Sequence, residues 1–122
     1  MAAGQRIALC PSAALAEGAP PVVFSVCYLG RACRAFAIRH EGRACAYLNR
    51  CTHVPVEMDD RQGRFFDDTG RWLRCAVHGA LYQPDTGDCV LGPCRGGLLT
   101  LTLSEEGGMI HWHTAPLLQP LE

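Results

Sequence analysis

Apolar residues in this chain come in runs of four to eight, broken by glycine, proline and short polar clusters. No stretch of ten or more carries a 3.6-residue period, so the pattern predicts short strands rather than helices. "RIAL" reads as a first strand, and "CPSAALAEGAPP" as a loop with one helical turn at Ala13 to Leu15. "VVFSVCYLG" and "RACRAFAIRH" read as two strands meeting at Gly30 and Arg31. "RACAYLNR" follows a turn at Glu41-Gly42 and runs into Cys51. Three further hairpins are predicted: "RFFDDTGRWLRC" turning at Asp68-Thr69-Gly70, "ALYQPDTGDCVLG" turning around Pro84 to Gly87, and "GLLTLTLSEEGGMIHWH" turning at Glu105 to Gly108. The pattern predicts one all-β domain over residues 1–122, a sandwich or partly open barrel of short antiparallel strands. Its core spans about residues 7–112, and 113–122 form a loosely held tail.

Composition narrows this picture. The 122 residues include 11 basic and 12 acidic side chains, a balance that gives no reason to expect nucleic acid or an anionic membrane as partner. All the basic residues are arginine, which points to a GC-rich, bacterial source. No secretory leader and no apolar run of about 18 residues is seen, so a cytoplasmic protein with reduced thiols is expected. The eight cysteines are then metal ligands or small apolar residues rather than a disulfide framework.

Two turns carry the candidate chemistry. "CTHVP" places Cys51 and His53 two apart, and "CAVHG" places Cys75 and His78 three apart, each where a strand gives way to a loop. Two thiolates and two imidazoles on converging loops suit a tetrahedral zinc site. Common zinc layouts, however, pair Cys with Cys and His with His, so a mixed pair in each half better suits a 2Fe-2S cluster in which both cysteines bind one iron and both histidines the other.

With its flanks, "AYLNRCTH" before and "CAVHGALYQPDTGDCVLGPC" after, this two-part motif resembles the Rieske 2Fe-2S family, and the likeness extends from about Ile7 to Trp112. The resemblance implies a Rieske-like fold with a cluster-binding subdomain at one end, and one 2Fe-2S cluster per chain. It assigns Cys51 and Cys75 to an inner iron, and His53 and His78 to an outer one. Twenty-one residues separate His53 from Cys75, somewhat more than in ferredoxin-type members; the "FFDDTGRWLR" hairpin holds the excess. The loop containing Pro93 is implied as a third wall. High-potential members carry a loop-to-loop disulfide where this chain has Val56 and Val77, and a serine where it has Ala80; the tyrosine they use is retained as Tyr82. A potential near the low end of the Rieske range, about −150 to +300 mV, is therefore implied.

The function that follows is a one-electron carrier, not itself an enzyme, between a reductase and a terminal enzyme such as an oxygenase. A redox subunit of a larger complex, similar to a nitrite-reductase small subunit, and a structural zinc module are the alternatives. Beyond the motif, His40 reads as an exposed turn residue, and His111 and His113 as solvated strand residues. Cys89 and Cys94 read as unpaired thiols. "EMDD", Glu57 to Asp60, reads as a solvated acidic face able to steer a basic partner.

Overall fold

The structure, a computed structural model, describes residues 5–50, 57–59, 65–76, 79–92 and 96–120. Ten strands form two sheets. The larger contains β1 (Arg6–Pro11), β2 (Val22–Tyr28), β3 (Arg31–His40), β4 (Arg43–Leu48), β8 (Thr100–Glu106), β9 (Met109–His113) and β10 (Leu118–Pro120), in the order β1-β9-β8-β4-β3-β2-β10. The smaller contains β5 (Leu73–Arg74), β6 (Leu81–Tyr82) and β7 (Cys89–Leu91) in that order. The large sheet curls into a half-barrel, the all-β architecture that the strand pattern predicts. The only helical element among the described residues is a 3-10 turn at Ser12–Ala14.

Tight turns fix the register of the large sheet. Tyr28 pairs with Arg31, His40 with Arg43, and Glu106 with Met109, so each hairpin loop has two residues. Both central residues have positive φ in all three, Leu29 and Gly30, Glu41 and Gly42, Gly107 and Gly108. Positive φ at both positions is what a type I′ turn requires, and its twist matches that of the strands it joins. The non-glycine Glu41 is supported from outside: Glu17 accepts from its N–H at 3.1 Å and from the N–H of Gly42 at 2.8 Å.

The two central strands are buried on both faces. Phe36 and Ile38 of β3, with Cys45 and Tyr47 of β4, face a core that also holds Met58, Phe65, Leu73, Cys75, Ala80 and Tyr82. Their neighbours Ala35, Ala37, Ala46 and Leu48 face a second core with Val26, Leu101, Ile110 and Trp112. Small side chains therefore point into the curl of the large sheet and large ones toward the small sheet. Phe36 stacks on Phe65 with ring centroids 4.0 Å apart, joining the two layers.

Two expectations are corrected here. Of the expected tail 113–122, the described part, to residue 120, is not loose: Leu118 to Pro120 pair with Tyr28 to Val26 as an edge strand, and Leu118 is buried. An edge strand tolerates Pro120, which lacks an N–H, and so the two prolines of this stretch do not exclude pairing. The second concerns Cys89, which is disulfide-bonded rather than an unpaired thiol; Cys94 lies outside the described residues.

Candidate metal centre

Of the four candidate ligands, Cys75 lies within the described residues, while Cys51, His53 and His78 lie outside them, as does Pro93. Among the described residues, no three His, Cys, Asp or Glu side chains gather at one point. What the structure does define is the frame from which both motif loops spring.

The first loop leaves β4 after Asn49 and Arg50 and returns at Glu57. Its two feet are tied together. The buried Asn49 accepts from the Met58 N–H at 2.8 Å through Oδ1, and its amide donates to Asp59 at 3.2 Å. Arg34 of β3 donates in bidentate fashion to Glu57 at 2.7 and 2.8 Å, and to Asp59 at 3.3 Å. These bonds are charge-assisted and hold residues 57–59 against the end of β4. Hydrogen bonding from Glu57 raises the Arg34 pKa above its ordinary value.

The second loop is a tight turn. Gly79 donates its N–H to the Cys75 carbonyl at 2.8 Å, and Cys75 donates to that of Ala80 at 2.9 Å. Gly79 has φ +72°, which lets the chain reverse after the second motif half. Ala76 donates to the Met58 carbonyl at 2.7 Å, so the exit of the first loop is hydrogen-bonded to the second. A third segment closes on the same place. A Cβ on Gly92 would lie 2.9 Å from the Ala80 Cα, a distance no side chain permits. The strand carrying Leu91 and Gly92 is thus pressed against the residue two beyond His78.

Cys75 is fully buried and takes no part in a disulfide. Ala80 and Tyr82 are fully buried too, with Tyr82 paired to Leu73 in the small sheet. A buried thiol on a hydrogen-bonded turn, walled by a glycine too close for any side chain, fits a sulfur-ligated metal group. The soft and borderline donors of the motif suit iron–sulfur chemistry.

The remaining histidines take other places. His40 ends β3 half-buried, with Nε2 3.7 Å from Glu41. His113 is half-buried, its Nε2 2.7 Å from the Ser104 hydroxyl, and His111 Nδ1 is buried without a hydrogen-bond partner; neither is a solvated strand residue. Burial raises the thiol pKa of both Cys10 and Cys45, as for small apolar core residues. The acidic face is also corrected. Asp59 is 2% exposed, and both Glu57 and Asp59 are bound by Arg34, so two of the three carboxylates are engaged by an arginine and one of these is buried. Sequence reasoning missed Arg34 and Asn49 as supports of the loop, because nothing in "RACRAF" or "YLNR" marks a partner 23 or 10 residues away.

An all-β chain with a buried cysteine turn, a second segment anchored beside it and a glycine packed against Ala80 defines a small β protein built around a cysteine-bearing turn. Residues 5–102 match the Rieske [2Fe-2S] domain, and the chain belongs to that family. No curated protein matches its sequence. Among solved structures, the ferredoxin of Sphingomonas yanoikuyae B1 is similar with a TM-score of 0.68 at 22% identity, covering 91% of this chain and 100% of that one. The terminal oxygenase of carbazole 1,9a-dioxygenase from Novosphingobium sp. KA1 gives 0.68 at 24% identity; 97% of this chain is covered, but only 31% of the oxygenase. A chain from the complex of reduced oxygenase and oxidised ferredoxin in carbazole 1,9a-dioxygenase gives 0.67 at 20% identity, covering 96% of this chain and 97% of that one. No helix among the described residues is long and apolar enough to cross a membrane.

Proposed function

We propose that this chain is a cytoplasmic one-electron carrier with one low-potential 2Fe-2S cluster, held by Cys51, His53, Cys75 and His78. It accepts an electron from a reductase and passes it to a terminal oxygenase. The observation that carries this reading is the frame around Cys75: a buried thiol on a turn bonded to the exit of the first motif loop and closed by Gly92. Two structures similar over nearly their whole length, a ferredoxin and a chain from an oxygenase–ferredoxin complex, support the carrier role and the oxygenase as acceptor. When bound, the cluster supplies the redox couple. The protein supplies four ligands, a dry inner wall and, at Ala80, a methyl group where high-potential members have a hydroxyl. Without that hydroxyl one hydrogen bond to the cluster is missing, and fewer such bonds mean a lower potential. Tyr82 keeps its place beneath the turn.

Anaerobically purified protein should contain iron and acid-labile sulfide at two each per chain. Its low-temperature EPR spectrum should be silent until dithionite is added, then show the low average g of mixed cysteine and histidine ligation. Stoichiometric zinc with a spectrum that stays silent would sink the carrier reading and establish a structural zinc module.

A further inference from the structure

Where β4 ends, the surface opens into a cavity of about 320 Å³ whose lining includes Arg31, Arg34, Asn49, Arg50 and Glu57. It exists because β3 and β4 part here. Ala35 and Leu48 form their last register pair at this end, one more bond joins the Asn49 N–H to the Arg34 carbonyl, and the chain then turns off toward the first motif loop.

The charges around this cavity are not equivalent. Those of Arg34 and Glu57 are spent on each other, with buried Asp59 behind them. Arg31 and Arg50 are exposed and have no ion pair among the described residues. Arg50 is nonetheless held in place, its guanidinium carbon 5.9 Å from the centre of the Tyr28 ring. A ring contact of this kind positions the cation without using up an acceptor. Two guanidiniums without acceptors among the described residues flank an open recess, one of them against the Tyr28 ring and immediately before Cys51 in sequence. A planar carboxylate is the acceptor such forks match.

We propose that this recess receives an aspartate or glutamate side chain from the docking face of the redox partner, a role that rests on the carrier reading above. The lining does not favour a free small molecule, because such sites are mainly apolar with a few polar groups, whereas four of the seven residues lining this one are charged. Nor does it favour nucleic acid: the chain has net charge −1, and two arginines make no extended basic stripe. A partner's carboxylate seated here fixes orientation beside the motif loop, and the exposed cations raise the rate of encounter.

The test uses the full chain, reduced with dithionite and oxidised in stopped flow by one of two cobalt(III) complexes. One is the anionic EDTA complex, which presents carboxylates; the other is the cationic hexaammine. In each reaction the chain gives up one electron and cobalt(III) becomes cobalt(II). Arg31→Gln and Arg31→Gln/Arg50→Gln should slow oxidation by the EDTA complex about three- to ten-fold at low salt, an effect that fades as salt screens it. Neither should slow oxidation by the hexaammine. Arg43→Gln removes an equally exposed arginine at the other end of β4 and should leave both rates near wild type. If Arg43→Gln slows the EDTA complex as much as Arg31→Gln does, the effect is net charge and the recess is refuted. If both oxidants react at unchanged rates in every variant, the recess is again refuted while the carrier stands. A chain that dithionite cannot reduce overturns the carrier reading and the partner assigned here with it. The single Arg31 variant, remote in sequence from Cys51, keeps the outcome clear should Arg50→Gln disturb the motif loop.

Discussion

At the scale of single residues, Arg34 and Asp59 carry the heaviest electrostatic duty. Asp59 is almost wholly buried, and Arg34 is its cationic partner among the described residues, so losing the arginine takes that countercharge away and leaves the carboxylate to neutral donors such as the Asn49 amide. Arg34→Met should cost about 3 kcal/mol, at the lower end for a broken buried pair because Arg34 itself is 37% exposed. Urea titration will measure it, and Arg34→Met/Asp59→Asn should recover part of the loss. A double variant no more stable than the single would show that the lost countercharge is not the cause. A gentler effect is expected at Tyr47, whose hydroxyl donates to the Pro84 carbonyl at 2.8 Å inside the core. Tyr47→Phe leaves that carbonyl without its donor and should lose about 1–2 kcal/mol in the same titration. Burial pushes the Tyr47 pKa well up, so its hydroxyl keeps its proton throughout the neutral range. Very little of this was legible from composition. "EMDD" has the look of a solvated run, and only folding brings Arg34 to it.

Between elements, two devices lend themselves to direct test. Arg39 of β3 donates to the Leu15 carbonyl at 2.8 Å and bidentately to Glu105 of β8 at 2.9 Å on each arm, linking three segments. Hydrogen bonding from Arg39 holds Glu105 at about 2, below the ordinary 4.5. A depressed carboxylate stabilises fully above its unfolded value and loses that contribution as pH falls through the folded one. Stability should therefore decline between pH 4.5 and about 2, and Glu105→Gln should flatten that decline in acid titrations followed by circular dichroism. The second device is the approach of Gly92 to Ala80. With φ +97° and backbone 2.9 Å from any added Cβ, Gly92→Ala must push β7 away from the Cys75 turn. Release of iron to a chelator should become several-fold faster, while the urea midpoint falls by about 1–3 kcal/mol equivalent. The hairpins themselves were readable in the sequence, because alternation and glycine-bearing turns act locally, although the first turn falls at Leu29-Gly30 rather than at Gly30-Arg31. β10 was not, since "PLLQPLE" carries two prolines and no alternation, and its pairing is decided by the exposed edge of β2 rather than by its own residues.

The whole molecule divides into a scaffold and a centre. Among the described residues, the candidate ligand Cys75 belongs to the core facing the small sheet and not to the core inside the large sheet. Removing iron should bleach the visible absorption yet preserve the β signature in the far ultraviolet. Hydrogen exchange should quicken in β5 to β7 and stay slow in β2 to β4, a contrast mass spectrometry can resolve. The ligand motif was legible because its chemistry dictates residue types at fixed spacing. The layered core left only a trace, the unbroken apolar stretches "AFAI" and "ACAYL", whose two-sided burial needs a second sheet to become visible. The Cys89 bridge left no trace at all, since an even number of cysteines says nothing about which of them meet.

Asn49 has a consequence that reaches past stability. By accepting from Met58 it pins the feet of the first motif loop, and it does so with backbone and amide groups that need no iron. These contacts hold Asn49 beside Met58 through protein groups alone. Of the residues between the two feet, those other than the proposed ligands Cys51 and His53 should tolerate substitution without parting Asn49 from Met58.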